Sequence, residues 1–130
     1  MKRLSWMLYA AVLLVPAISR GAEPEKALED ASYWMTRKLH LSQEVLAGLA
    51  LKDFDKIVKA AGTMDRLNSI EKFVRGQSPE YKAQLEMFRY ANRALIRNAD
   101  AENLDGATLA FNQLTLSCVN CHKHLREGAK

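Results

Sequence analysis

Toward the C-terminus of this 130-residue chain, Ala107, Phe111, Leu114, Cys118, Cys121 and Leu125 follow one another at spacings of 4, 3, 4, 3 and 4. That repeat is one face of an amphipathic helix. It commits the last segment to helix, and it places the only two cysteines on the core side of that helix. The run Cys118-Val119-Asn120-Cys121-His122 reads as a c-type haem attachment site. The chemistry needs this spacing. Two thiols each add to a vinyl group on one edge of a porphyrin, and the next residue then lies under the ring. His122 is the expected proximal iron ligand, and one covalent haem c is the expected cofactor.

Three other readings compete for the same residues. A thioredoxin-like redox pair wants a βαβ context, and no strand pattern is visible. Zinc could take Cys118, Cys121, His122 and His124, but the two histidines are two apart and point about 200° from each other on a helix. A disulfide suits an exported chain, although so short a gap strains it.

Residues 1–22 read as a secretory signal. Lys2 and Arg3 form the positive start, Leu4 to Val15 is apolar except for Ser5, and Pro16 and small residues follow. The apolar run is short for a membrane span. Cleavage after Ser19 or Gly21 puts a small residue at the −3 position, whereas cleavage after Ala22 would put Arg20 there. No cysteine lies near the cut, which excludes a bacterial lipid anchor; an uncleaved signal anchor is the alternative. The expectation is an exported, periplasmic protein with no stable membrane span after cleavage. The leader also explains the charge. The whole chain has 19 basic and 15 acidic side chains, and cleavage after Arg20 or later removes Lys2, Arg3 and Arg20 and leaves 16 against 15. Nothing in that balance supports nucleic-acid binding.

The remaining residues, 23–130, are enough for one domain with one core. Breaks fall near Asp53, at Gly76-Gln77-Ser78-Pro79 and from Asp100 to Gly106, giving four segments. In the first, from about Pro24 to Lys52, Leu28, Met35, Leu39, Leu46 and Leu49 mark a helical stripe. Pro24 suits a first helical position, and Glu23, Glu25 and Glu29 suit a positive helix start. The second opens at Asp53, an N-cap, and buries Ile57, Ala60, Met64, Leu67 and Val74. Gly62 lowers its helix propensity and would allow a close neighbour. The third opens with the cap Ser78-Pro79 and turns Leu85, Phe88, Asn92 and Leu95 inward. Short connections between four amphipathic helices predict an all-α, antiparallel up-down-up-down four-helix bundle with its haem near the C-terminus.

An exported chain, four predicted helices and a single C-x-x-C-H in the last of them resemble the cytochrome c′ family, the class II c-type cytochromes. The resemblance covers essentially the whole mature chain. Pro24-Glu25-Lys26-Ala27-Leu28 looks like the family's first-helix start. Arg126 stands four places after His122, where the family has a basic residue, and Leu125 stands where it often has an aromatic. Class I cytochromes c match poorly: they carry the motif near the N-terminus and a methionine ligand far downstream, whereas here eight residues and no methionine follow His122. The resemblance implies a periplasmic protein, often a homodimer packed through its first two helices. It implies that Arg126 bonds a haem propionate or the proximal side. It also implies that Met35 corresponds to the distal residue, either a wall or an iron ligand, with core packing as the plain alternative. Leu39 is the competing distal wall, and Met64 and Met87 are expected in the core.

His40 and His124 read as surface residues. Arg89, Arg93 and Arg97 repeat every four residues, either a solvated face or a basic stripe for an acidic redox partner. Tyr33 and Trp34 would cover a haem edge or fill the bundle. The leading functional expectation is a monohaem electron carrier exchanging electrons with partner proteins. The alternatives are a binder of nitric oxide or carbon monoxide with a crowded apolar distal pocket, and a haem-free bundle stapled by zinc or a disulfide. No paired carboxylates or nucleophile–base motif argue for an enzyme.

Overall fold

The computed structural model describes the backbone of residues 24–75 and 78–128, and the side chains of residues 33–72 and 78–127. The expected leader, Leu28 and Val74 lie outside the described residues or side chains. Four helices follow in order: α1 (Pro24–Leu51), α2 (Phe54–Arg75), α3 (Pro79–Asp100) and α4 (Leu104–Gly128). Among the described residues there is no strand. The chain is all-α, consistent with a four-helix bundle. None of these helices is long and apolar enough to cross a membrane.

Local chemistry sets the helix ends. Two turns use one device. Lys52 and Glu102 take left-handed backbone angles, φ 55° and 53°. After each, the chain folds back: Asp53 N–H donates to the Gly48 carbonyl at 2.8 Å, and Asn103 N–H to the Asn98 carbonyl at 2.9 Å. These bonds satisfy carbonyls that a helix end otherwise leaves open. The very next side chain caps the following helix. Asp53 Oδ1 accepts from Lys56 N–H at 3.0 Å, and Asn103 Oδ1 accepts from Gly106 N–H at 3.0 Å. Before α3, Ser78 Oγ accepts from Tyr81 N–H at 3.1 Å, and Pro79 fills the first helical position.

Consecutive helices pack on one another, while α1 and α4 touch far less. The dry core holds Leu41, Val45, Ile57, Met64, Leu95 and Leu114, with alanines at 60, 61, 91, 99, 107 and 110 allowing close approach. Asn92 Nδ2 donates to the Ala61 carbonyl at 2.8 Å and ties α3 to α2 inside this core.

The inward faces of α2 and α3 are largely those the spacing predicts: Ile57, Ala60 and Met64 are buried with Leu67 partly so, and Leu85, Phe88, Asn92 and Leu95 are all buried. α1 is rotated from the expectation. Its buried face is Lys38, Leu41, Val45, Gly48 and Leu49, and both Leu39 and Leu46 are exposed. Two stripes on this helix satisfy helical spacing, and Gly48 decides between them. A Cβ there would stand 2.7 Å from Ile57 Cγ1 and 3.1 Å from the Asp53 carbonyl. The side that lacks a Cβ therefore faces α2. Gly62 makes no such approach, since a Cβ would meet only the Arg66 guanidinium at 3.9 Å. Met87, expected in the core, is 51% exposed on the outer side of α3, and Leu125 is 46% exposed beyond the last buried turn of α4.

The two glycines should respond oppositely in urea denaturation. Gly62→Ala should raise stability by up to about 1 kcal/mol, because it gains helix propensity in open space. Gly48→Ala should lower stability by about 1–3 kcal/mol through overpacking against Ile57.

Candidate functional site

Beyond the dry core lies a cavity of about 340 Å³, lined from all four helices. The last helix contributes Ser117, Cys118, Cys121 and His122. The sequence motif and the cavity therefore coincide. Both cysteines are free thiols and partly buried. Burial pushes the Cys118 thiol up; the Lys38 ammonium and a hydrogen bond with Ser117 pull against it. Burial also raises Cys121, reinforced by the Glu71 carboxylate and opposed by Lys38. Each thiol is held in its neutral form, inside reach of a charged pair on the facing helices.

That pair is the part of the site that sequence reasoning missed. Lys38 is 7% exposed and Glu71 1%, and both line the cavity. Lys38 Nζ donates to Glu71 Oε2 at 2.5 Å and, over a longer 3.4 Å, to Asn68 Oδ1. The ammonium also stands 4.4 Å from the Phe88 ring centroid, a cation–π contact. Glu71 Oε1 accepts from the Tyr81 hydroxyl at 2.5 Å. Asn68 Nδ2 in turn donates to the Leu85 carbonyl at 3.2 Å. Every charge is thus met from another helix, the condition under which charge is tolerated in an interior. A legible signal existed. On α2 the buried stripe Ile57, Ala61, Met64, Asn68, Glu71 runs at spacings of 4, 3, 4 and 3, so two polar residues stand where apolar ones belong.

On α1, Met35, Lys38, Leu39 and Ser42 line the cavity. Met35 is partly buried. Leu39 sits on the rim, 63% exposed, and is no enclosing wall. Ser42 Oγ donates to the Lys38 carbonyl at 2.9 Å. Gln84, from α3, has a buried Oε1 without a hydrogen-bond partner. Arg126 is exposed on the final turns of α4 and is not among the cavity residues.

Other candidates fall outside. His40 is exposed and pairs with Glu44 at 3.2 Å, and His124 is exposed. Tyr33 and Trp34 stack edge to face with centroids 5.6 Å apart, away from the cavity lining. The arginine stripe is partly spent on acids: Arg89 pairs with Glu86, and Arg93 with Asp65 at 3.4 Å. Among the described residues, no three His, Cys, Asp or Glu side chains group to hold a metal ion. Cys118, Cys121 and His122 are thus not themselves gathered as a three-ligand zinc site.

Comparison with family models, with curated proteins and with solved structures finds no match to this chain.

Removing one member of the buried pair should be far worse than removing both. Lys38→Leu should cost about 3–5 kcal/mol in urea denaturation, because Glu71 would be buried without its counter-charge. Adding Glu71→Gln, which keeps an acceptor for Tyr81, should restore most of that loss.

Proposed function

We propose that this chain is an exported, periplasmic monohaem c-type cytochrome that carries single electrons. The observation that carries this reading is that Cys118, Cys121 and His122 line one open cavity, the thiols partly buried and His122 exposed at its mouth. Two thiols and an imidazole at that spacing are the donor set of covalent haem attachment, and the cavity gives the group somewhere to sit.

The residues fit that group. Cys118 and Cys121 would hold it through thioethers, which are neutral. That suits a place where burial disfavours a thiolate. His122 would bind the iron, and the Met35 thioether on the α1 wall is the sulfur available as a second axial ligand. Leu39 would shield the rim. The unpartnered Gln84 amide is a polar group that an occupant has to satisfy; turned over, its nitrogen would donate to a porphyrin carboxylate. Haem supplies one-electron chemistry at a potential set by axial ligands, hydrogen bonds and burial. The chain's contribution is to fix the ring, limit water and choose those ligands.

The same reading takes the chain as a cytochrome c′-like antiparallel bundle. It is supported by helix order and by the cavity lining, which draws on the middle of α1, the end of α2, the first half of α3 and the second half of α4. A homodimer and an acidic redox partner belong to this reading too. Binding of nitric oxide or carbon monoxide is its alternative. That alternative called for an apolar distal pocket, and the presence of Lys38 and Glu71 in the cavity wall favours electron transfer over it.

The test is covalent attachment. Protein from a host with haem-ligation machinery should keep its Soret absorbance through acid-acetone extraction. Cys118→Ala or Cys121→Ala should weaken retention, and His122→Ala should shift the axial-ligand spectrum or block maturation. Colour lost entirely on extraction of the wild type would falsify the assignment.

A further inference from the structure

Resting on the haem reading above, we infer that Lys38 selects what the iron takes from solution: a small anion in preference to a neutral ligand. Lys38 lines the same cavity as the motif, on α1, with Cys118, Cys121 and His122 on α4. Among the described residues it is the only lysine or arginine in that lining.

The geometry holds the ammonium in place while leaving part of it exchangeable. One strong bond, to Glu71 Oε2 at 2.5 Å, fixes its position. The contact with Asn68 is long, at 3.4 Å, and the contact with Phe88 is to a ring face. A ligand oxygen or nitrogen bearing negative charge is a better partner than either. Glu71 offsets the charge of Lys38 in this wall, but both of its oxygens are already engaged, one by Lys38 and the other by the Tyr81 hydroxyl, so the pair offers an occupant a donor from Lys38 and no free acceptor from Glu71.

A purely structural role would leave ligand preference untouched. A buried ion pair is weak evidence for stability, because apolar residues of similar volume often serve as well. The charged pair stands in the wall of the cavity, below which the dry core is apolar except for Asn92. That position is what assigns it to the occupant.

Azide and imidazole, titrated into the ferric haem-loaded protein and followed by Soret absorbance, separate the two roles. The variant is Lys38→Leu with Glu71→Gln, compared with wild type, with helicity checked by far-UV circular dichroism. The azide dissociation constant should rise about tenfold or more, the effect of losing one hydrogen bond to a charged group. Imidazole binding should stay nearly unchanged. If the double variant loses its helical signal, Lys38→Gln with Glu71→Gln is measured in its place, since two amides can bond each other and neither carries charge. Azide and imidazole affinities that move together, or azide affinity that does not move, would overturn the inference while leaving covalent haem intact. A wild-type chain that keeps no colour through acid-acetone would instead overturn the haem reading, and this inference with it.

Discussion

The buried contact between Lys38 and Glu71 is the constraint around which one end of the molecule is arranged. Two charges taken out of water are tolerated only if each is met by good partners. Here those partners come from three helices. α1 supplies the ammonium, α2 the carboxylate and Asn68, and α3 the Tyr81 hydroxyl and the Phe88 ring. The pair therefore fixes α1, α2 and α3 relative to one another without filling the space in front of α4. Apolar side chains close the core from Leu41 and Met64 downward, and above them the cavity remains. α1 and α4, which touch far less than consecutive helices do, carry its two functional walls.

Much of this was legible in the chain. Asp53, Ser78-Pro79 and the Asp100–Gly106 stretch mark the breaks because caps, proline and left-handed residues act locally, and the helix ends fall there. The faces of α2 and α3 followed from spacing for the same reason. α1 did not, since two stripes on it have helical spacing and the choice depends on the contact between Gly48 and Ile57, which is not local. The motif residues were also legible, because three side chains within five positions of one helix cannot be far apart. Lys38 was not. Its neighbours in sequence say surface, and only Glu71, Asn68 and Phe88, brought in from other helices, make its burial tolerable. Met35 and Leu39 both line the cavity, but α1 is turned from the expected face, which leaves Leu39 at the rim. Arg126 was carried by resemblance alone, and it stands outside the cavity.

On the proposed reading, the site's character comes from mixing two environments. The thiols and Met35 offer neutral, polarizable sulfur to a haem, which suits a group that must change charge by one with little rearrangement. The ion pair adds a fixed dipole in the same wall. Its Lys38 end pulls both thiols toward the thiolate, while its Glu71 end opposes ionisation of Cys121. Such an oriented pair acts on any charge placed in the cavity, including that of the iron, so the potential and the choice of ligand would both depend on it.

The most direct test of where the proposed haem sits uses the three methionines that follow residue 22: Met35, Met64 and Met87. They occupy the cavity wall, the dry core and the outer side of α3. With ¹³C-labelled methionine methyls in the oxidised haem-loaded protein, the paramagnetic iron reports its own neighbours by nuclear magnetic resonance. The account predicts the largest displacement for Met35, whether its sulfur binds the iron or only packs beside it. A Met35 methyl at its ordinary position, with Met64 or Met87 carrying the largest displacement, would contradict it.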